Sequence, residues 1–253
     1  MKSSDQSGFK DHFSGHAAQY ARYRPVYPAA LYDWLAEQSP ASECAWDAAT
    51  GNGQAAVELA KRFSRVIATD GSATQIAQAI AAENIQYRVE TAEANSLGDH
   101  SADLVTVAQA YHWFDHAAFL PQLERVIKPG GLFAIWTYAL AEISTELDQV
   151  VRDFYAGPIA DYWLAERLLV EQGYSSLRFP WPELAVPDFL LQLNWSLDDL
   201  LGYLRTWSAV QRCHAATGSD PVAAWQAEFA RAWGEASTRI VTWPMRVRAF
   251  RVE

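Results

Sequence analysis

From Cys44 to Trp136 the chain alternates short apolar runs with amphipathic stretches, and this alternation restricts the possible fold more than any other feature. The runs are Cys44-Ala45-Trp46, Arg65-Val66-Ile67-Ala68-Thr69, Ile85-Gln86-Tyr87-Arg88-Val89 and Asp103-Leu104-Val105-Thr106-Val107. A fifth, Leu132-Phe133-Ala134-Ile135-Trp136, follows Pro129-Gly130-Gly131. Between them lie Ala55 to Phe63, Ala73 to Ala82 and Ala117 to Val126. Val57, Leu59, Ala60 and Phe63 share one face of the first stretch, and Phe119, Leu120, Leu123 and Val126 one face of the last, so both repeat as helices do. Strand and helix in alternation build right-handed βαβ units. The expected fold is therefore doubly wound α/β, with a mostly parallel sheet covered on both faces. Such sheets bind ligands beyond the carboxyl ends of their strands.

The later part of the chain changes character. Ile143 to Tyr174 reads as helical, and Pro180, Pro182 and Pro187 interrupt the chain before Phe189-Leu190-Leu191-Gln192-Leu193. Ser196 stands where an N-cap belongs, opening a helix to about Val210, and Ile240 to Val252 is β-rich. Together these segments imply about seven strands, with a helical insertion after the fifth.

The chemistry concentrates at the end of the first strand. In Asp47-Ala48-Ala49-Thr50-Gly51-Asn52-Gly53, the two glycines allow a tight turn and a close ligand approach at the positive end of the next helix. The second strand ends in Asp70, roughly 20 residues after Gly51, where an acid accepts hydrogen bonds from the hydroxyls of an adenosine ribose. Gly51-x-Gly53-x-x-Ala56 also satisfies the dinucleotide fingerprint, so a nicotinamide or flavin oxidoreductase competes. Asp47 separates the two readings. A carboxylate there repels a pyrophosphate but suits the ammonium and sulfonium of S-adenosylmethionine, directly or through water.

Composition narrows the partners. The chain has 253 residues, 50% of them hydrophobic, enough for one sizeable core. Lys+Arg number 20 against 30 Asp+Glu, a formal net charge of -10 that repels nucleic acid at long range. The sequence has no Asn-Pro-Pro-Tyr, Asp-Pro-Pro-Tyr or Pro-Cys run and no basic segment interleaved with aromatics, so DNA and RNA methylation are not expected. Its two cysteines, Cys44 and Cys213, form neither a disulfide framework nor a zinc spacing, and no metal is expected. With no signal-peptide pattern and no apolar stretch of membrane length, the expected location is the cytoplasm, away from membranes. The oligomeric state is left open.

The run from Asp47 to Gly53, Asp70, and Arg125-Val126-Ile127-Lys128-Pro129-Gly130-Gly131 resemble successive motifs of the class I S-adenosylmethionine-dependent methyltransferases. Two further pieces, Tyr20-Ala21-Arg22-Tyr23-Arg24-Pro25-Val26-Tyr27-Pro28 and Gln109-Ala110-Tyr111-His112-Trp113-Phe114-Asp115, are similar to the type 11 group related to trans-aconitate methyltransferase. The chain departs from the pattern at Ala49, where a glycine is usual. The resemblance implies a Rossmann-like methyltransferase fold in one domain over 1–253. A helical cap at 1–40, a cofactor-binding half at 41–137 and substrate-side helices with the last strands at 138–253 would make it up. It also implies that Gly51 and Gly53 meet the methionine part of S-adenosylmethionine, Asp70 the ribose, Gly71 and Ser72 the adenine, and Ala92 and Glu93 its amino edge. The backbone of Ala108 and Gln109 would lie near the ammonium, and Tyr20 and Arg24 would close over the cofactor, with Arg24 binding its carboxylate or else forming a surface ion pair.

Methyl transfer needs chiefly an aligned nucleophile in a dry pocket. A phenol, amine or carbon acid also needs a base, and an ionised carboxylate does not. His112 is the candidate base, against a histidine hydrogen-bonded in a structural turn with Trp113 and Asp115. Trp136, Tyr138, Trp207 and Gln211 are candidate walls of the acceptor pocket, against ordinary core positions. The expected function is methyl transfer to a small organic acceptor, with a carboxylic acid as one candidate. A nicotinamide-dependent oxidoreductase and a non-catalytic S-adenosylmethionine-binding protein are the alternatives.

Overall fold

A computed structural model describes residues 23–253, so Tyr20 and most of the expected cap before α1 lie outside the described residues. The five apolar runs become β1 (Cys44–Ala48), β2 (Arg65–Asp70), β3 (Ile85–Val89), β4 (Ala102–Ala108) and β5 (Ile127–Tyr138). Two more strands follow, β6 (Leu190–Trp195) and β7 (Arg239–Arg251). The sheet order is β3-β2-β1-β4-β5-β7-β6, in which β7 runs antiparallel to both its neighbours and the pairs from β3 through β5 are parallel. The doubly wound, mostly parallel seven-stranded expectation is met. Strand order reverses between β1 and β4, the place where a doubly wound sheet opens a ligand crevice at the strands' carboxyl ends.

Helices cover both faces: α1 (Ala29–Gln38), α2 (Gln54–Ala60), α3 (Ala73–Ala77) and α4 (His116–Val126). On one side, Trp136 is fully buried edge-on against Tyr27 and Tyr32, with ring centroids 5.5 and 6.2 Å away. On the other, Trp46, Phe119, Phe133 and Tyr111 pack together. Alternate residues of one strand thus enter opposite layers.

The insertion is more broken than its periodicity suggests. Its helical stretch resolves into α5 (Thr145–Ala156), a short 3-10 turn at Ala160–Tyr162 and α6 (Arg167–Glu171). The helix expected from Ser196 to Val210 divides into α7 (Leu197–Arg205) and α8 (Ser208–Thr217), and α9 (Pro221–Ala224) and α10 (Gln226–Trp233) complete the layer. Both ends of the segment between β5 and β6 are stitched to β7. Glu142 bridges Thr242, and Glu183 bridges Phe250. Among the described residues no helix is long and apolar enough to cross a membrane.

Candidate active site

The turn after β1 is built from residues held in left-handed backbone. Ala49, Gly51 and Gly53 have φ of 54°, 58° and 87°. Gly51 is surrounded by open space, so backbone conformation alone favours glycine there, whereas a Cβ on Gly53 would collide with the Tyr87 ring and hydroxyl. Ala49 adopts the same left-handed φ in spite of its Cβ, so the alanine preserves the turn under strain. The turn is tied to β2 by Thr50 N donating to Thr69 O at 2.9 Å.

Asp70 joins this turn to the next. Its Oδ2 accepts from Gly51 N at 2.9 Å and its Oδ1 from Ser72 N at 2.8 Å. The side chain lines the crevice. Ser72 then caps α3 by accepting from Gln75 N.

Asp47 is placed differently from its expected role. Its carboxylate is fully buried beneath the turn and accepts from Thr50 Oγ1 at 2.5 Å and Thr106 Oγ1 at 2.8 Å, without reaching the crevice wall. Burial pushes its pKa up to about 6 against those hydrogen bonds.

The crevice at the switch point has a volume of about 760 Å³. Its walls include Gly51, Asp70, Gly71, Ser72, Ala92, Glu93, Ala108 and Gln109, which the sequence had singled out, but not Gly53, where a Cβ would meet Tyr87. Among the described residues five carboxylates line it, those of Asp70, Glu90, Glu93, Asp115 and Glu166, and no Lys or Arg does. A cleft with that donor set fits a ligand that brings positive charge, and its hydrogen-bonding edge at Asp70 fits a diol. It is unsuited to a pyrophosphate.

A second, smaller chamber of about 60 Å³ abuts the crevice, and Gln109 and Trp113 belong to both linings. By volume it holds a few waters or one small functional group. Its charge is of the opposite sign: Arg24 and Arg167 line it together with His112, Tyr138, Trp163, Tyr203 and Trp207, and among the described residues no carboxylate does. Arg24 donates to Tyr138 Oη at 2.8 Å and to Thr206 O at 3.3 Å, and its guanidinium lies 5.5 Å from the Tyr203 ring centre. Arg167 donates to Tyr155 Oη at 3.0 Å and lies 5.0 Å from the Trp163 ring centre. Gln109, at the junction, has a left-handed φ of 55°, and its side-chain oxygen accepts from the Thr137 hydroxyl. His112 places Nδ1 2.9 Å from Tyr174 Oη. Burial, then the charges of Arg167, His116 and Arg24, hold its pKa down to about 3.

The structure therefore brings His112, Tyr138 and Trp207 together in one chamber with Arg24, but not Trp136 or Gln211. Trp136 is packed in the core behind β5. Gln211 donates to Arg205 O at 2.5 Å, away from both linings. Sequence reasoning missed Glu166 and Arg167, adjacent residues that line the crevice and the chamber respectively. A Glu-Arg pair at the start of a short helix carries no local signal of such a division.

Comparison with known proteins places this geometry. Residues 46–135 match a family described as a methyltransferase domain. A protein described as a methyltransferase from Dictyostelium discoideum is 34% identical over 204 residues, covering 79% of this chain and 78% of its own length. One described as an uncharacterized methyltransferase from Schizosaccharomyces pombe is 26% identical over 79% of this chain and 80% of its own. Among solved structures, a protein described as a type II methyltransferase from Anaeromyxobacter dehalogenans superimposes with a TM-score of 0.83 at 43% identity, over 90% of this chain and 98% of that one.

Proposed function

This chain belongs to the class I S-adenosylmethionine-dependent methyltransferases, and from that premise we propose that it methylates a small organic acid on a carboxylate oxygen. With that membership the nicotinamide reading of the glycine turn falls away. The observation that carries the proposal is the sorting of charge: an acidic crevice meets a basic chamber at Gln109 and Trp113. A cationic methyl donor and an anionic acceptor are thereby directed to opposite sides of one junction.

When bound, S-adenosylmethionine supplies a methyl group on a sulfonium, whose sulfur keeps the electron pair as the acceptor oxygen forms the new bond. The chain's own contribution is placement. Asp70, on the crevice wall, accepts from the ribose diol, and the glycine turn lets the ligand approach the backbone. Gln109, locked to Thr137, holds the wall where the two cavities meet. The aromatic walls of the chamber exclude water, which strengthens the attraction of Arg167 for an anion. A carboxylate also agrees with the likeness of the segments around Arg24 and His112 to the trans-aconitate methyltransferase group.

The test is a label-transfer screen with methyl-labelled S-adenosylmethionine against a panel of small mono-, di- and tricarboxylic acids, phenols and amines. We expect label in an acid, released as methanol by mild alkali, as a methyl ester requires. Label stable to alkali would overturn the carboxylate assignment. Calorimetry showing no binding of S-adenosylmethionine or its demethylated product would overturn the cofactor.

A further inference from the structure

We propose that His112 meets the acceptor as a hydrogen-bond donor through Nε2–H, in a tautomer imposed by Tyr174, and forms with Arg167 a two-donor clamp on the acceptor's oxyanion. This rests on the reading of the basic chamber as the acceptor site. It reverses the role of general base that the position of His112 after β4 suggests.

Tyr174 sets the tautomer of His112. Its side chain is completely buried beside Tyr111, on a residue whose φ of 61° the packing holds in the left-handed region. The backbone amides of His112 and Tyr111 act on the phenol from one side and oppose the upward push of burial on its pKa. A phenol has one hydrogen to give. Among the described residues its one hydrogen-bond contact is the 2.9 Å approach to His112 Nδ1, and with backbone amides acting on the phenol from the other side the hydrogen is placed along that contact. Nδ1 is then the lone-pair nitrogen, and a neutral imidazole must carry its proton on Nε2.

His112 is hemmed in by its neighbours. Its ring centre lies 4.5 Å from that of Trp113 and 6.2 Å from that of Tyr174. Among the described residues Nδ1 has the hydroxyl partner and Nε2 has none, while the ring forms part of the chamber lining. The charged and titratable groups acting on it are Arg167, His116 and Arg24, all cationic or able to become so. A second positive charge on the ring is disfavoured on every side, so the ring stays neutral and poor at taking a proton. It can still donate one hydrogen bond.

Arg167 supplies the other half of the clamp. Its Nε is engaged by Tyr155 Oη, whose own hydrogen goes to Glu171, and its guanidinium lies against the Trp163 and Tyr155 rings. That arrangement fixes the plane of the guanidinium and leaves its terminal nitrogens toward a ligand. A site with two fixed donors and no proton acceptor selects a nucleophile that arrives already deprotonated. Carboxylates meet that condition at neutral pH, whereas phenols, amines and carbon acids do not.

The decisive measurement is nitrogen-15 NMR of the imidazole rings, with His112 assigned by its loss in His112→Gln. We expect the Nε2–H tautomer, unchanged from pH 6 to 9, and a mixed or reversed tautomer in Tyr174→Phe. An Nδ1–H tautomer, or a titration near the ordinary histidine pKa, would overturn the proposal. This readout needs no acceptor, so it stands apart from failure of the label screen. With an acceptor in hand, His112→Ala should lower kcat/KM roughly ten- to hundredfold, the worth of one hydrogen bond to a charged group. His112→Gln, which restores an N–H but no base, should recover most of that loss. Arg167→Gln should raise the acceptor KM by a similar factor with S-adenosylmethionine affinity unchanged. A Gln variant as poor as Ala would mean that proton removal is needed, and would overturn the donor role.

Discussion

Asp70 shows how one carboxylate serves structure and ligand together. Because it accepts from both Gly51 N and Ser72 N, Asp70→Ala should loosen two turns as well as lose the ribose partner. We expect a lowered Tm together with S-adenosylmethionine binding weakened roughly ten- to hundredfold, read from a thermal melt and calorimetry on one variant. A melt shift with affinity preserved would assign Asp70 to the turns alone. Ala49 offers the opposite test. Replacing it with glycine should relieve the left-handed strain and stabilise the fold by up to about 1 kcal/mol after the extra chain entropy of glycine is deducted, as denaturant unfolding would report. Asp47 gives a pH signature. Its native pKa of about 6 lies above the ordinary carboxylate value, so between about pH 4 and pH 6 the native state holds the proton that the unfolded chain has released. Its contribution to stability is therefore greatest below that window and falls as pH rises through it, by about 3 kcal/mol in all. Asp47→Asn should flatten that slope in urea melts run from pH 4 to 7, and equal slopes would clear Asp47 of the effect.

At the scale of elements, α7 carries Tyr203 to the chamber on a well-made start. Ser196 Oγ accepts from Asp199 N, and Asp199 accepts in return from Ser196 N. Ser196→Ala should cost about 1 kcal/mol in denaturant unfolding while leaving S-adenosylmethionine affinity intact. That cap was legible because Ser before an apolar helical pattern states a local geometry, and the central parallel strands were legible because buried strands are mostly apolar. What stayed hidden was set by distant contacts. The chain leaves the helix at Trp207 without Gly or Pro, and the indole is buried among Tyr203, Phe154 and Trp163. α3 stops at Ala77 rather than Ala82, and beyond it Ile80 N donates to Asn52 O while Ile80 O accepts from Tyr87. The same limit governs the site. Asp70 and the glycines announce themselves by position after a strand, but nothing local distinguishes Trp136, turned into the core, from Tyr138, turned into the chamber two residues on.

For the molecule as a whole, the net charge of -10 predicts opposite salt effects on the two ligands. Raising ionic strength from about 0.01 M to 0.15 M shortens the screening length from about 30 to about 8 Å. Association of the cationic cofactor should slow and that of an anionic acceptor should quicken, as stopped-flow rates at each salt concentration would reveal. Salt effects of the same sign would show that the local field of each cavity, and not the net charge, governs the encounter of its own ligand. The stitching of the insertion to β7 reaches further. Because Glu142 and Glu183 are both pinned to that one strand, the chain between them sets out from and returns to a common anchor. Grafting residues 143–182 of a relative onto this sheet would transplant Trp163, Glu166 and Arg167 as a unit, and divergence of such enzymes toward new acceptors can proceed there without disturbing the glycine turn.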